Sequence, residues 1–460
     1  MRRALAAASF ARARRRGGGA HHRPSSSLPP SCSSSLVSRR TLRVWILAGE
    51  PSGDALAGGF LAALRTEAAA RGDPVRAVAG VGGPATIAAG LPSSLFPMDD
   101  LSAMGAWEIA SRLPLLRRRL AEATRRAREF QPDVLVTVDA KGFARRLVRG
   151  VVRDRGGKGD ARRGPLAAQY VSPSWWAWRD GEAGLRGWRD AGLDLALCLF
   201  PWETSAWRRV GVDAAFVGHP VVTDVAEATR VGIRTDGRAT ARTPSTLAIL
   251  PGSRAQEVNR HLPLFRETCE AMARAGAAPG SVAFLVPSGA PSVAEAVARA
   301  AETWPTSASA TTTTTTANDA ASRAAFFLRA DAALTCAGTA TAQLLAHGVP
   351  QVMAYRAHPV TETLARWMAS VPKAGLPNLV TGRDVAPEFL GRSAAAPEAL
   401  AEATARVLTD ERAREAQRRE REGFLEALTP RDEEGRAMEP ATAAARAVLD
   451  ALRRKRARER

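Results

Sequence analysis

Carboxylates are absent from the first 49 residues of this 460-residue chain, where ten arginines occur and the first acid is Glu50. No run of about 20 apolar residues exists anywhere, so no bilayer-spanning helix is expected. Cysteine is scarce: Cys32, Cys198, Cys269 and Cys336 show no metal-ligand spacing, and one of them lies in the arginine-rich start. Structural disulfides are not expected, as suits a reducing interior. Tyrosine occurs only twice, and with it goes one common means of stacking on bases.

The formal charge of +19 points at first to nucleic acid, but its distribution does not. Beyond residue 49 the chain carries 55 basic and 46 acidic residues, a surplus of nine spread thinly. Small clusters stand at Arg117-Arg118-Arg119 and Arg453-Arg454-Lys455-Arg456. A modestly basic body suits anionic phosphates or a membrane surface as well as it suits nucleic acid. The leader is rich in Arg, Ser and Ala and lacks an apolar stretch long enough for secretion. It reads as an organelle transit peptide, residues 1–41. The density of arginine tips the expected address towards the mitochondrion, with the plastid as the alternative.

The body opens with an apolar strand at residues 42–48, a Gly/Ser turn and an Ala/Leu-rich helix over 55–70. This is the start of a doubly wound α/β domain. Further strands are expected at 75–81, 134–138, 166–171 and 193–199, with an amphipathic helix at 113–130. A polar stretch, 223–245, reads as an interdomain linker. The scheme then restarts: strand 246–250, a turn, a helix from about 256, strands 282–286, 332–335 and 351–354, and a helix over 339–347. Residues 153–164 and the threonine-rich 306–318 read as inserted low-complexity loops. The expected organisation is therefore a leader (1–41), an N-terminal Rossmann-like domain (42–225), a C-terminal Rossmann-like domain (226–390) and terminal helices with a basic tail (391–460).

Specific strings follow one another along this scaffold. They are Ala-Gly-Glu-Pro-Ser-Gly-Asp (48–54), Gly-Val-Gly-Gly-Pro (80–84), Met-Gly (104–105) before a helix, and Pro-Asp (132–133) through Val-Asp-Ala (138–140). Next come Tyr-Val-Ser-Pro-Ser-Trp-Trp-Ala-Trp (170–178), Val-Gly-His-Pro (217–220) and Leu-Pro-Gly-Ser-Arg (250–254) with Glu257 and Val258. Gly-Thr-Ala-Thr (338–341) and Leu-Pro-Asn-Leu (376–379) complete the set. In these strings the chain resembles the lipid-A-disaccharide synthase family over residues 42 to about 390.

The resemblance implies a GT-B glycosyltransferase with two Rossmann-like doubly wound domains facing across a cleft. It implies transfer of 2,3-diacylglucosamine from UDP-2,3-diacylglucosamine to 2,3-diacylglucosamine 1-phosphate at a membrane surface, peripherally. The products would be a β(1→6) disaccharide and UDP, with inversion and no covalent sugar–enzyme intermediate. Such chemistry needs a base for the acceptor hydroxyl and charge stabilisation for the departing diphosphate. No cofactor, metal or nucleic acid is expected.

Asp139 ends a strand, at the sheet edge where α/β proteins place ligands. It matches the family's candidate base; a turn or capping aspartate is the plainer alternative. Glu50 is either an acceptor-binding carboxylate or a second acid–base candidate. Gly252, Ser253 and Arg254 follow a strand and open a helix, where backbone N–H groups, the helix dipole and a guanidinium suit phosphate. Gly338, Thr339 and Ala340 precede another helix and offer a second nest. The expected substrate-binding set also takes in Ser52, Gly53, Met104, Glu257, Gln343 and Asn378. Asp54 belongs to it as well, although its place at a helix start also suits a cap or turn anchor.

Two departures stand out. Gln343 occupies the position where many GT-B enzymes hold the ribose hydroxyls with glutamate, so charge assistance would be lost there. Lys141 and Gly142 follow Asp139-Ala140 where bacterial members often have Pro-Asp, placing a cation near Asp139. The tryptophans at 175, 176 and 178 and His219 read first as packing residues. Residues 101–116 suit an interfacial membrane contact, or simply a helix whose apolar face is core. Two other functions share the architecture: a different UDP-N-acetylglucosamine-type GT-B enzyme, and a non-catalytic lipid-binding descendant.

Overall fold

The structure, a computed structural model, describes residues 41–101, 106–153, 164–175, 181–233, 245–287, 291–305, 311–317, 320–356 and 373–459. Strands β1 (Leu42–Ala48), β2 (Val75–Val81), β3 (Val134–Val138), β4 (Leu166–Tyr170), β5 (Leu195–Cys198) and β6 (Asp213–Phe216) form one parallel sheet. Strands β7 (Thr246–Leu250), β8 (Ser281–Pro287), β9 (Thr311–Ala317), β10 (Ala332–Cys336), β11 (Gln351–Tyr355) and β12 (Glu388–Leu390) form a second. The strands β1, β3 and β4 are near-continuous apolar runs because helices cover both faces of a parallel sheet.

The helices of the first sheet are α1 (Pro51–Ala70), α2 (Pro84–Ala88), α3 (Ala106–Phe130), α4 (Lys141–Arg153), α5 (Gly181–Arg189) and α6 (Glu203–Arg209). A connecting helix, α7 (Val221–Arg230), leads to α8 (Ala255–Arg274), α9 (Pro291–Glu302), α10 (Ala320–Phe327), α11 (Thr339–Ala346) and α12 (Leu376–Thr381). The chain closes with α13 (Pro397–Thr409), α14 (Glu411–Arg418), α15 (Arg421–Leu428) and α16 (Pro440–Arg458). No described helix is long and apolar enough to cross a membrane.

The strand order in the first sheet is β2-β1-β3-β4-β5-β6, and in the second β12-β11-β10-β7-β8-β9. The winding therefore reverses between β1 and β3 in one sheet and between β7 and β10 in the other. Open α/β sheets leave a ligand crevice at such a reversal, beyond the carboxyl ends of the strands.

The first sheet's core joins distant parts of the chain. Phe60, Leu61 and Leu64 of α1 pack with Ile46, Val136 and Val138, and with Ala444, Val448 and Leu449 of α16. The basic cluster at the end of α16 is not an open cationic patch, contrary to the charge reading. Arg454 pairs with Asp213 at 2.8 Å, Lys455 with Asp194 at 2.7 Å and Arg456 with Asp133 at 3.0 Å. All three aspartates lie at the amino ends of strands, so the tail straps the edge of the sheet opposite the crevice.

Two expectations of irregular chain need correction. The threonine run is an edge strand: β9 pairs in parallel register with β8 along residues 311–317. Threonine is β-branched and suits a strand, so composition misled where propensity would not. Residues 223–230 of the expected linker are helical within α7, because Val221, Val222 and Val225 pack on the first core and Ala228 is buried as well.

Candidate functional site

The turn after β1 and the turn after β3 meet at the first reversal. A Cβ on Gly49 would come within 2.9 Å of the Ala140 Cβ, so only glycine allows the two turns to approach this closely. Glu50 takes the N-cap position of α1 in extended conformation, and its carboxylate is half-buried. Asp139 and Ala140 are both left-handed, at φ 52° and 46°. Aspartate tolerates that region and alanine rarely does, so the turn is held against its local preference. The Asp139 N–H donates to Tyr170 O at 3.0 Å, and its carbonyl accepts from Gln169 Nε2 at 3.1 Å. No hydrogen bond or ion pair engages the Asp139 carboxylate among the described residues. Lys141, expected as a cation beside Asp139, reaches Ser174 Oγ at 3.5 Å instead.

At the second reversal the turn after β7 is shaped by Gly252, whose φ of 129° is unfavourable for a side chain. A Cβ there would also lie 2.6 Å from the Glu257 Cβ. Glu257 folds back over the turn, accepting from the Ser253 N–H at 3.1 Å and from Arg254 Nη1 at 3.1 Å. Arg254 then extends to the other sheet, where its Nη2 lies 2.8 Å from Glu50 Oε2. Burial opposes the charged form of Arg254, but Glu50 and Glu257 outweigh it and hold the pKa above the ordinary arginine value. Beside this, Gly338 precedes α11 with open space around it, since an added Cβ would meet nothing within 4 Å. The turn that opens α11 neighbours the turn after β7, since β10 pairs with β7 and an added Gly252 Cβ would lie 3.5 Å from Cys336 Sγ, and the N–H groups at a helix start suit an anion. Among the described residues, the ion pair of Arg254 with Glu50 joins the two reversals.

Ser52 is exposed and Gly53 buried at the start of α1, and an added Gly53 Cβ would lie 4.0 Å from that of Asp139. Gln343 of α11 donates to Asp224 Oδ2 at 3.2 Å, while Arg323 pairs with Asp224 Oδ1 at 2.9 Å. Its amide therefore turns towards α7. Two side chains of the expected substrate-binding set are engaged within the protein. Asp54 is buried and accepts from the N–H groups of Gly83, Ala85 and Thr86 and from the Thr86 hydroxyl. It anchors a neighbouring helix, α2, with both of its oxygens engaged. Asn378 is buried too: its oxygen accepts from the N–H groups of Val385 and Ala386, and its nitrogen donates to Ala386 O and Glu388 Oε1. Met104 and the tryptophans at 176 and 178 lie outside the described residues. His219 is a packing residue: it stacks on Phe200, accepts from the Val221 N–H, and is pushed by burial to a pKa of about 4.

Gln169 and Asp224 escaped the reading of the sequence. A lone amide inside the apolar string Leu-Ala-Ala-Gln-Tyr was the available signal for the first. Asp224 was hidden by the linker reading.

The family model for lipid-A-disaccharide synthetase matches residues 44–442. The chain belongs to the lipid-A-disaccharide synthase family. It is 38% identical to the lipid-A-disaccharide synthase of Ruegeria pomeroyi over 420 residues, 90% of this chain and 96% of that one. It is 34% identical to that of Gluconobacter oxydans, across 89% and 90% of the two chains. A relative from Arabidopsis thaliana, named "Probable lipid-A-disaccharide synthase, mitochondrial", is 34% identical over 85% of this chain and 84% of its own. Among solved structures, UDP-GlcNAc 2-epimerase of Neisseria meningitidis bound to UDP-GlcNAc superposes with a TM-score of 0.53 at 8% identity. That match covers 90% of this chain and 100% of the epimerase, and it bears on the fold alone. As a member of the synthase family the chain is a glycosyltransferase of GT-B architecture.

Proposed function

We propose that the chain joins two diacylated glucosamines. The acceptor is 2,3-diacylglucosamine 1-phosphate and the donor UDP-2,3-diacylglucosamine. The acceptor's 6-oxygen bonds to the donor's anomeric carbon as the bond from that carbon to the diphosphate oxygen breaks. The hydroxyl proton passes to the Asp139 carboxylate, and UDP leaves with the bonding electrons. Arg254 and the N–H groups opening α11 meet the charge that develops on the diphosphate. Glu50 lies on the acceptor side, within reach of both Arg254 and the crevice. The observation that carries this reading is the convergence of Glu50, Asp139, Arg254 and the α11 N-terminus on two facing sheet reversals.

The test is direct. The full chain, incubated with both substrates, should yield a disaccharide 1-phosphate by mass spectrometry, and failure to form it with either sugar donor or acceptor varied would refute the reading. The leader is read as a mitochondrial transit peptide, a reading supported by its lack of acids and by the Arabidopsis relative's name. Peripheral membrane contact is proposed for residues 101–116, a reading supported by the exposure of Leu113 beside arginines.

A further inference from the structure

Gln169 is fully buried near the end of β4, in a strand whose other residues are Leu, Ala, Ala and Tyr. A buried amide is unfavourable unless its hydrogen bonds are made. Here they are: Oε1 accepts from the Thr137 hydroxyl, and Nε2 lies 3.1 Å from each of three backbone carbonyls, those of Asp139, Tyr170 and Val171. The amide orientation follows from this set, since the flipped form would set Oε1 against three carbonyl oxygens.

Those carbonyls belong to a strained pair of strand ends. Asp139 has φ 52°, and Val171 has φ 73°, a conformation that a β-branched residue seldom adopts. Strain of this kind persists only where the surroundings over-determine it, and it gathers at sites of function. Without the donor, three oxygens would converge on one dry point, and the turns would relax outward.

We propose that Gln169 is a positioning residue for sugar transfer: its carboxamide grips the Asp139 carbonyl and so fixes the direction in which the Asp139 carboxylate leaves β3. The proposal rests on Asp139 being the base. Gln169 touches neither substrate nor the reacting atoms. Of the residues around its amide, Asp139 and Tyr170 carry ionisable side chains, and burial pushes the Tyr170 phenol up, away from the accessible range.

Two substitutions in the full chain, measured with UDP-diacylglucosamine and diacylglucosamine 1-phosphate, test it. Gln169→Leu keeps the bulk and removes the donor. Its kcat should fall about 100-fold, the scale of a 1 Å misplacement, at every pH, with the KM for the UDP-sugar unchanged. Gln169→Glu can donate one O–H to a carbonyl while protonated, but as a carboxylate it repels all three. Burial raises the pKa of such a glutamate, by up to several units. Its kcat relative to the unaltered chain should therefore be near normal at low pH and decline as pH rises, a limb that Gln169→Leu lacks. Full turnover in Gln169→Leu, a flat relative profile in Gln169→Glu, or parallel loss of kcat, KM and thermal stability in both would overturn the proposal. Asp139→Asn separates the layers. If it retains turnover, the base assignment itself is wrong; if it is inactive while Gln169→Leu is normal, only the positioning role fails.

Discussion

Arg254 Nη2 and Glu50 Oε2 lie 2.8 Å apart, and through this contact the turn after β7 in one sheet touches the turn after β1 in the other. The arginine read as a phosphate ligand is therefore already occupied by a carboxylate read as belonging to the acceptor side. On the proposed function, a diphosphate entering the crevice would compete with Glu50 for the guanidinium and be repelled by the same carboxylate.

Opposite effects on UDP affinity follow for the two partners. Arg254→Ala should weaken UDP binding by roughly 1.5–3 kcal/mol, the loss of a charge-assisted hydrogen bond. Glu50→Gln should tighten it several-fold while lowering turnover, because the competing charge is gone. Calorimetric titration with UDP decides, and equal weakening in both variants would show that the pair acts as one ligand set.

Asp54 and Asn378 should behave as structural residues. Asp54→Ala leaves three N–H groups and a hydroxyl without their acceptor, at a cost on the order of 2–3 kcal/mol. Denaturant unfolding should show this loss with UDP affinity unchanged in the folded fraction. A stable variant with impaired UDP binding would restore Asp54 to the substrate site.

The C-terminal helix offers a contrast between apolar and ionic contributions. Leu449 is buried against the first sheet's core, and Leu449→Ala should lower stability by about 2–4 kcal/mol. Arg454, half-exposed in its pair with Asp213, should contribute at most about 1 kcal/mol. Measuring both by denaturant unfolding tests whether the strap works by packing or by charge.

Acid should destabilise the fold partly through His219. Burial lowers its pKa from 6.5 to about 4 in the native state. Above pH 6.5 it is neutral folded or unfolded and stability is unaffected. As pH falls from 6.5 towards 4 the unfolded chain takes up the proton first, and up to about 3 kcal/mol is lost. His219→Asn keeps an acceptor for the Val221 N–H and should flatten this part of the pH–stability curve. His261 and His347 are shifted in the same direction by burial, so some acid sensitivity should remain.

The alternation of apolar strands, glycine turns and amphipathic helices made both sheets legible, because parallel strands covered on two faces must be apolar throughout. The strings around Glu50, Asp139, Arg254 and Gly338 were legible as turns at strand ends. What could not be read was which carboxylates face the crevice. Asp54 lies four residues from Glu50, yet its side chain turns to α2, a choice made by tertiary packing and not by spacing. Gln169 was hidden for the complementary reason: its amide nitrogen's partners are carbonyls, which carry no side-chain signature. The α16 cluster looked like surplus positive charge because its three aspartates are scattered over 81 positions, Asp133 to Asp213.

Asp139→Asn is the sharpest test of the mechanism. The side chain has no partner among the described residues, so its replacement should leave stability intact. Asparagine also tolerates the left-handed conformation at φ 52°, so the turn should not be disturbed. The amide is nearly isosteric but cannot take the acceptor's proton, and kcat should fall by roughly 10²–10⁴-fold. UDP affinity should be unchanged, because the proposed diphosphate contacts lie on the second sheet. Asp139→Ala, by contrast, places two successive alanines in left-handed geometry and should lose stability as well. Comparing kcat, UDP affinity and thermal midpoint for the two variants separates the chemistry from the turn. Undiminished turnover in Asp139→Asn would move the base to Glu50, and the Arg254 pair would then have to open before the acceptor proton could be taken.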